Sequence, residues 1–213
     1  MKTTLLLAGL LAGLASWPTS AQSVSPVYKV YPADTKVATA LLHNTLDKTA
    51  RFTVEVKHIY LGADGQIVRE PATDVEFAPL VVTLGQDKKQ VILVKRTANV
   101  GGPERFYGVY ITQLPDSKKY QEVFQAKMAW VFRNDAAKPR LSAWWDKNEL
   151  VIKNEGDASA MLSSFVVGDR VKSDMKWVLI GETRRIPFDG VRTATMSVNV
   201  NGKTETISVG SGQ

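Results

Sequence analysis

Residues Arg51–His58 read Arg-Phe-Thr-Val-Glu-Val-Lys-His, with Phe52, Val54 and Val56 on one parity and Arg51, Glu55 and Lys57 on the other. Successive side chains of a strand point to opposite faces, so this period of two predicts a half-buried β-strand. Similar short runs recur at Val37–Leu42, Gln90–Lys95, Phe106–Leu114, Leu150–Asn154, Met161–Val167 and Met196–Val200. Turn residues separate them: Asp64-Gly65, Gly101-Gly102-Pro103, Asn154-Glu155-Gly156 and Asn201-Gly202. The last pair stands between two alternating runs in Ser197–Ser208, which predicts a tight hairpin. No stretch carries a convincing helical stripe. Many short strands at this spacing predict β-sandwiches.

The chain has no cysteine, which removes thiol catalysis, thiolate metal sites and disulfide staples. Its stability must come from a hydrophobic core. The start, Lys2 and then a largely apolar run from Leu5 to Ala15 followed by Ser16-Trp17-Pro18-Thr19-Ser20-Ala21, has the form of a secretory signal peptide. A membrane-spanning helix needs roughly twenty apolar residues, and a retained anchor is the weaker reading. Residues 1–21 are expected to be removed, and the mature chain exported. The formal net charge of +6 is spread along the chain rather than gathered on one element, which argues against a nucleic-acid partner. His43 and His58 are the two histidines, and no metal-binding spacing occurs; neither a metal nor another cofactor is expected.

The segment Asn134–Arg140 is polar and carries Pro139. It suggests a boundary between a first domain, residues 22–134, and a second, residues 135–213, each an all-β sandwich. One larger barrel is the competing arrangement. Just before this seam, Tyr120–Arg133 is long for a strand and apolar on both faces. Phe124, Ala126, Met128, Trp130 and Phe132 share one parity; Val123, Ala129 and Val131 share the other, with Lys127 among them. Two readings stay open: the second domain covers the far face, or the strand borders a groove that another polypeptide fills.

Several segments resemble, in order and spacing, the PapD-like periplasmic chaperones of the chaperone–usher pathway. These are Val30-Tyr-Pro-Ala33 with Ala40-Leu-Leu-His-Asn44; Phe77-Ala-Pro79, Val81-Val-Thr-Leu84 and Gln90-Val-Ile-Leu93; Glu104-Arg-Phe-Tyr-Gly-Val-Tyr-Ile-Thr-Gln-Leu-Pro115; and Ala126-Lys-Met-Ala-Trp-Val-Phe-Arg133. Glu149–Gly156 and Phe188-Asp-Gly190 are similar in the second domain. The resemblance implies two immunoglobulin-like sandwiches in an L or boomerang arrangement, a periplasmic location and no enzymatic activity. It also implies a mechanism, donor-strand complementation: the chaperone lends a strand to a pilin subunit that lacks one, caps it, and delivers it to an outer-membrane usher.

On this resemblance residues 120–133 are the donor strand, and Phe124, Ala126 and Met128 enter the client. Glu122 interrupts the apolar series, so Val123 in a shifted register is the alternative. The family holds the client's terminal carboxylate with an arginine and a lysine. Their matching positions carry Tyr28 and Ala129, which leaves Lys29 and Lys127 as the expected anchors and places the chain near the divergent, colonisation-factor-like class. Glu104, Arg133 and Asp189 match an interdomain network. The partners implied are pilin subunits and the usher, and self-association is open to the client-free chain as a cover for its donor strand. Of the other function classes, an enzyme lacks any catalytic constellation. An exported structural or adhesive pilus component would need an N-terminal alternating extension, for which Gln22–Pro26 is short and polar.

Overall fold

A computed structural model of the chain describes residues 23–115, 124–188 and 192–211. All of its regular elements are strands. The first ten are β1 (Ser23–Ser25), β2 (Tyr28–Pro32), β3 (Val37–His43), β4 (Ala50–Leu61), β5 (Ile67–Pro71), β6 (Val75–Ala78), β7 (Val81–Leu84), β8 (Lys89–Arg96), β9 (Arg105–Gln113) and β10 (Gln125–Arg133). They form two facing sheets, β1-β3-β8-β6 and β2-β10-β9-β4-β5, with β7 beside β4. The chain changes sheet at Pro26-Val27: β1 runs antiparallel to β3, whereas β2 runs parallel to β10.

Between the sheets lies one core, in which Phe52, Val54 and Val56 of β4 meet Leu42, Ile92, Val109, Ile111, Met128, Trp130 and Phe132. The alternation of Arg51–His58 therefore orients β4 as its pattern requires, with Arg51 and Glu55 exposed. Past His58 the buried parity reverses to Ile59, because there the outer face of the sheet meets the rest of the chain.

The remaining strands are β11 (Leu141–Asp146), β12 (Glu149–Asn154), β13 (Ala160–Val167), β14 (Arg170–Lys172), β15 (Lys176–Val178), β16 (Thr183–Pro187), β17 (Thr195–Val200) and β18 (Lys203–Ser211). Their order is β14-β13-β17-β18-β11-β12-β16, with β15 beside β13. β18 joins the two halves of this sandwich, pairing with β17 along Lys203–Ser208 and with β11 along Val209–Ser211. A second core, including Trp145, Leu150, Ile152, Leu162, Phe165, Val178 and Val198, fills it. The Asn201-Gly202 hairpin forms as its sequence requires: Val200 pairs with Lys203, and the two turn residues have φ of 51° and 88°.

The two sandwiches share a device that the alternation does not disclose. Asn44 and Asn154 are both fully buried and lie at the ends of β3 and β12. The Asn44 amide donates to the Lys48 and Leu84 carbonyls, and the Asn154 amide to those of Ala158 and Val178. Each side chain ties the carbonyl four residues on to a neighbouring strand, satisfying groups that would otherwise be buried without partners. The fold class is thus all-β, built from two immunoglobulin-like sandwiches.

Candidate functional site

β10 behaves differently along its two halves. Its whole length is paired on one side with β9, from Gln125↔Thr112 to Phe132↔Arg105. On the other side, β2 covers only Ala129–Arg133. Gln125–Met128 thus has no strand neighbour on that edge among the described residues. The Ala129 N–H points to this side, donating to the Val27 carbonyl at 2.9 Å, while the Phe124 carbonyl points to β9 and accepts from the Gln113 N–H at 2.8 Å. Backbone groups alternate along a strand, so Gln125 and Lys127 present N–H and C=O at the free edge.

The side chains alternate as well. Even-numbered residues face the sandwich core, where Met128 is 0% exposed and Trp130 and Phe132 follow it. Met128, expected among the side chains that enter a client, packs here in the chain's own core. Phe124 and Ala126 are half-buried at the open end of this row, Phe124 against the core. Val123 lies outside the described residues. Odd-numbered Ala129 and Val131 face the other way and join Ile59, Phe106 and Leu179 in a third apolar cluster that unites the two sandwiches. Cover by the second domain thus accounts for the double apolar character of the C-terminal half of β10. The N-terminal half keeps its free edge.

Beside that edge runs a cleft of about 230 Å³ between the sandwiches. One wall is the outer face of the β10-β9-β4-β5 sheet, with Lys127, Ala129, Phe106, Ile59 and Arg69. Met175, Lys176, Trp177, Leu179 and Arg184 form the other. Tyr110 stands between two lysines, Lys57 at 5.2 Å and Lys127 at 5.7 Å from its ring centre. Its ring lies over Gly108, where an added Cβ would come within 2.8 Å of it and 2.9 Å of Ile59.

Lys29 is not part of this cleft. It pairs in register with Trp130, on the face opposite Lys127, and its ammonium sits 4.9 Å from the Tyr31 ring. The two expected anchors are therefore not brought together, because one residue of parity separates the faces of a sheet. Arg69, Lys176 and Arg184 were missed by sequence reading. They are scattered along the chain, and only the strand order and domain packing gather them.

The interdomain link does form in part. Glu104, whose side chain is 2% exposed, accepts the Ser159 N–H on both oxygens at 3.0 Å. Arg133 lies 3.8 Å from the same carboxylate and donates to the Ser159 carbonyl at 2.9 Å. Burial raises the Glu104 pKa, and the Ser159 and Arg133 contacts oppose that rise. Asp189, the third expected member, lies outside the described residues. A neighbouring cluster ties down the first sandwich: the Tyr107 hydroxyl donates to Asp74 at 2.8 Å, Asn99 donates to the same oxygen, and Arg105 lies 3.7 Å away. Burial tends to raise the Asp74 pKa, but these partners hold it below the usual carboxylate value. Next to it, burial and Arg105 lower the pKa of His58.

The described chain superposes on solved pilus chaperones over both sandwiches. A chain of the CsuC–CsuE chaperone–tip adhesion subunit pre-assembly complex, from the archaic chaperone–usher Csu pili of Acinetobacter baumannii, matches 91% of this chain and 100% of its own, with a TM-score of 0.73 and 18% identity. The fold is that of the chaperone–usher pilus chaperones. The Salmonella enterica SafA pilin–SafB chaperone complex gives 0.67 at 18% identity over 88% of this chain and 96% of the other. The Pseudomonas aeruginosa CupB2 chaperone gives 0.63 at 17% over 88% and 100%. The class 5 fimbrial chaperone CfaA gives 0.56 at 12% over 88% and 99%, a looser likeness than that to the archaic complex. At these identities the likeness is one of fold. No family model and no curated protein matches the sequence. The pilus-chaperone fold places the free half-edge of β10 and the cationic cleft side by side.

Proposed function

We propose that this chain is a periplasmic chaperone that binds pilus subunits by lending them β10. The observation that carries the reading is the edge of Gln125–Met128, which among the described residues has a strand neighbour on one side only and lies beside a cleft lined by cations. An edge of this kind invites another strand, and proteins ordinarily cover or blunt it unless pairing is its purpose. Client pairing places main-chain hydrogen bonds on Gln125 and Lys127, and Phe124 and Ala126 supply the side chains that enter the client's open core. Residues 120–123, the rest of the expected donor segment, lie outside the described residues.

Lys127 serves twice: its backbone extends the client's sheet and its ammonium reaches the client's terminal carboxylate in the cleft. Arg69, from the same sheet face, is its partner in place of Lys29. Neither Lys127 nor Arg69 has an acidic partner among the described residues. Glu104 and Arg133, through Ser159, hold the second sandwich against the first beside this cleft. The account includes export through removal of residues 1–21, transfer of the loaded client to an outer-membrane usher, and no catalytic step.

Co-expression with exported pilin subunits encoded beside it tests the reading. The outcome predicted is a one-to-one complex in the periplasmic extract, with the chaperone absent from the finished fibre. Recovery of this chain in the fibre itself would support the structural-component reading instead.

A further inference from the structure

The joint between the sandwiches holds a contact that strand lending does not use. His58 follows Val56 on the inward parity of β4 and lies between Tyr107 of β9 and Glu70 of β5. Its Nε2 is 3.2 Å from the Arg105 guanidinium. Arginine carries donors only, so Nε2 is the acceptor and, by elimination, the ring is neutral with its proton on Nδ1. That nitrogen lies 3.9 Å from the carboxylate of the exposed Glu70. Arg105 in turn has Asp74 at 3.7 Å from its Nε.

The rest of the ring's surroundings carry no further charge. Tyr60 of the same strand stacks on it, and Tyr107 meets it at a tilt with its hydroxyl committed to Asp74. With Glu104, it lines a cavity of about 210 Å³ between the sandwiches, to which the second contributes the uncharged Ser159, Leu179 and Ile180. A proton on Nε2 would set two cationic N–H groups against each other at hydrogen-bond distance. Each cation has an acid on its far side, Glu70 for His58 and Asp74 for Arg105. The same four groups therefore have two arrangements. In one the neutral ring accepts from Arg105; in the other the pair is parted into His58–Glu70 and Arg105–Asp74 ion pairs. Burial and then Arg105 lower the His58 pKa, against the opposing pull of Asp74 and Glu70, which favours the first arrangement at neutral pH.

The position of the pair connects it to the joint. Ile59 follows His58 in the chain, and Glu104 and Phe106 flank Arg105. Ile59 and Phe106 meet Leu179 in the third apolar cluster, and Glu104 accepts the Ser159 N–H. The residues by which the first sandwich grips the second thus adjoin the two members of the pair. We propose that the His58–Arg105 contact is a proton-operated latch on the interdomain joint: protonation of His58 parts the pair, frees Ile59 and Glu104 to move, and loosens the second sandwich. The inference goes beyond the chaperone reading and does not depend on it. For a chaperone of this build the consequence is a hold on the client that weakens in acid, since the cleft beside Lys127 spans the same joint.

The test uses the mature chain with nitrogen-15 in its backbone and histidine rings. At neutral pH the His58 ring, assigned by the loss of its signals in His58→Gln, should show the Nδ1–H tautomer. An Nε2–H ring in the wild-type chain overturns the latch without recourse to any variant. The second readout is the protection of the Ser159 amide against hydrogen exchange, relative to its intrinsic rate, from about pH 8 to about pH 5, the range in which histidine titrates. Protection in the wild-type chain should fall several-fold across it. His58→Gln offers Arg105 an acceptor that does not titrate and should keep most of that protection; the fall that remains is the share of Glu104, whose carboxylate also takes up a proton in acid. Arg105→Gln removes the opposing cation, so the His58 pKa should rise and the acid response flatten. Protection that stays level in the wild-type chain, or that falls equally in wild type and His58→Gln, overturns the latch.

Discussion

The carboxylate of Glu104 accepts the Ser159 N–H on both of its oxygens, each at 3.0 Å, so one side chain of the first sandwich fixes the backbone of the second. Arg133 closes the link by donating to the Ser159 carbonyl. A buried carboxylate held this way is costly to ionise and costly to lose, and both facts are measurable.

Glu104→Ala leaves Arg133 without its carboxylate and the Ser159 N–H without its acceptor. It is expected to cost roughly 3 kcal/mol in urea unfolding. The pH dependence has a definite sign. Burial raises the folded pKa of Glu104, so the folded state holds the proton more tightly than the unfolded chain. Its contribution to stability is greatest below the unfolded carboxylate range and falls as pH rises through the raised folded value. Wild type should therefore lose stability relative to Glu104→Gln as pH is raised through that window. A difference that is flat with pH would show that Glu104 is not the titrating group.

Asp74 gives the opposite sign. Its pKa is lowered in the folded state by Tyr107, Asn99 and Arg105, so its contribution is present above the unfolded value and lost as pH falls through the folded one. Tyr107→Phe removes the hydroxyl that donates to it. The loss should be about 1–3 kcal/mol at neutral pH and smaller in acid, where the protonated carboxyl has less need of a donor. Chemical denaturation of both chains across pH checks it.

Met128 and Phe124 lie on the same parity of one strand yet should behave differently. Met128→Ala empties a site in the first core and should cost about 2–5 kcal/mol. Phe124→Ala, at the half-buried end of the row, should cost less and lower the recovery of client instead. Thermal melts of each free variant, set beside client co-purification, separate the two roles.

Lys127→Ala and Arg69→Ala are each expected to lower client recovery several-fold while leaving the free chain's melting unchanged within the small range typical of surface substitutions. Lys29→Ala should leave recovery as it is, since its ammonium lies over Tyr31 on the other face of the sheet. A drop in recovery with Lys29→Ala would return that residue to the anchor.

The strands were legible because alternation is local. Phe52, Val54 and Val56 declare the inner face of β4 within a few residues, and Asn201-Gly202 declares its own turn. What alternation cannot tell is which neighbour an apolar face meets. Met128 and Val131 are equally apolar in sequence, yet one fills the first core and the other meets the second sandwich across the third cluster. The cleft was less legible still. Arg69, Lys127, Lys176 and Arg184 come from four separate strands, and it takes the order β10-β9-β4-β5 and the packing of the second sandwich to bring them together. Asn154, read as part of a turn, is the buried clamp that organises it.

Strand lending by β10 is the central claim, and amide hydrogen exchange of the chain, free and bound to a pilin subunit, tests it most directly. The N–H groups of Gln125 and Lys127 face the free edge and should exchange rapidly in the free chain and become strongly protected in the complex. The N–H of Ala129, already bonded to Val27, should change little. A complex that forms while Gln125 and Lys127 stay as exposed as before would contradict the account.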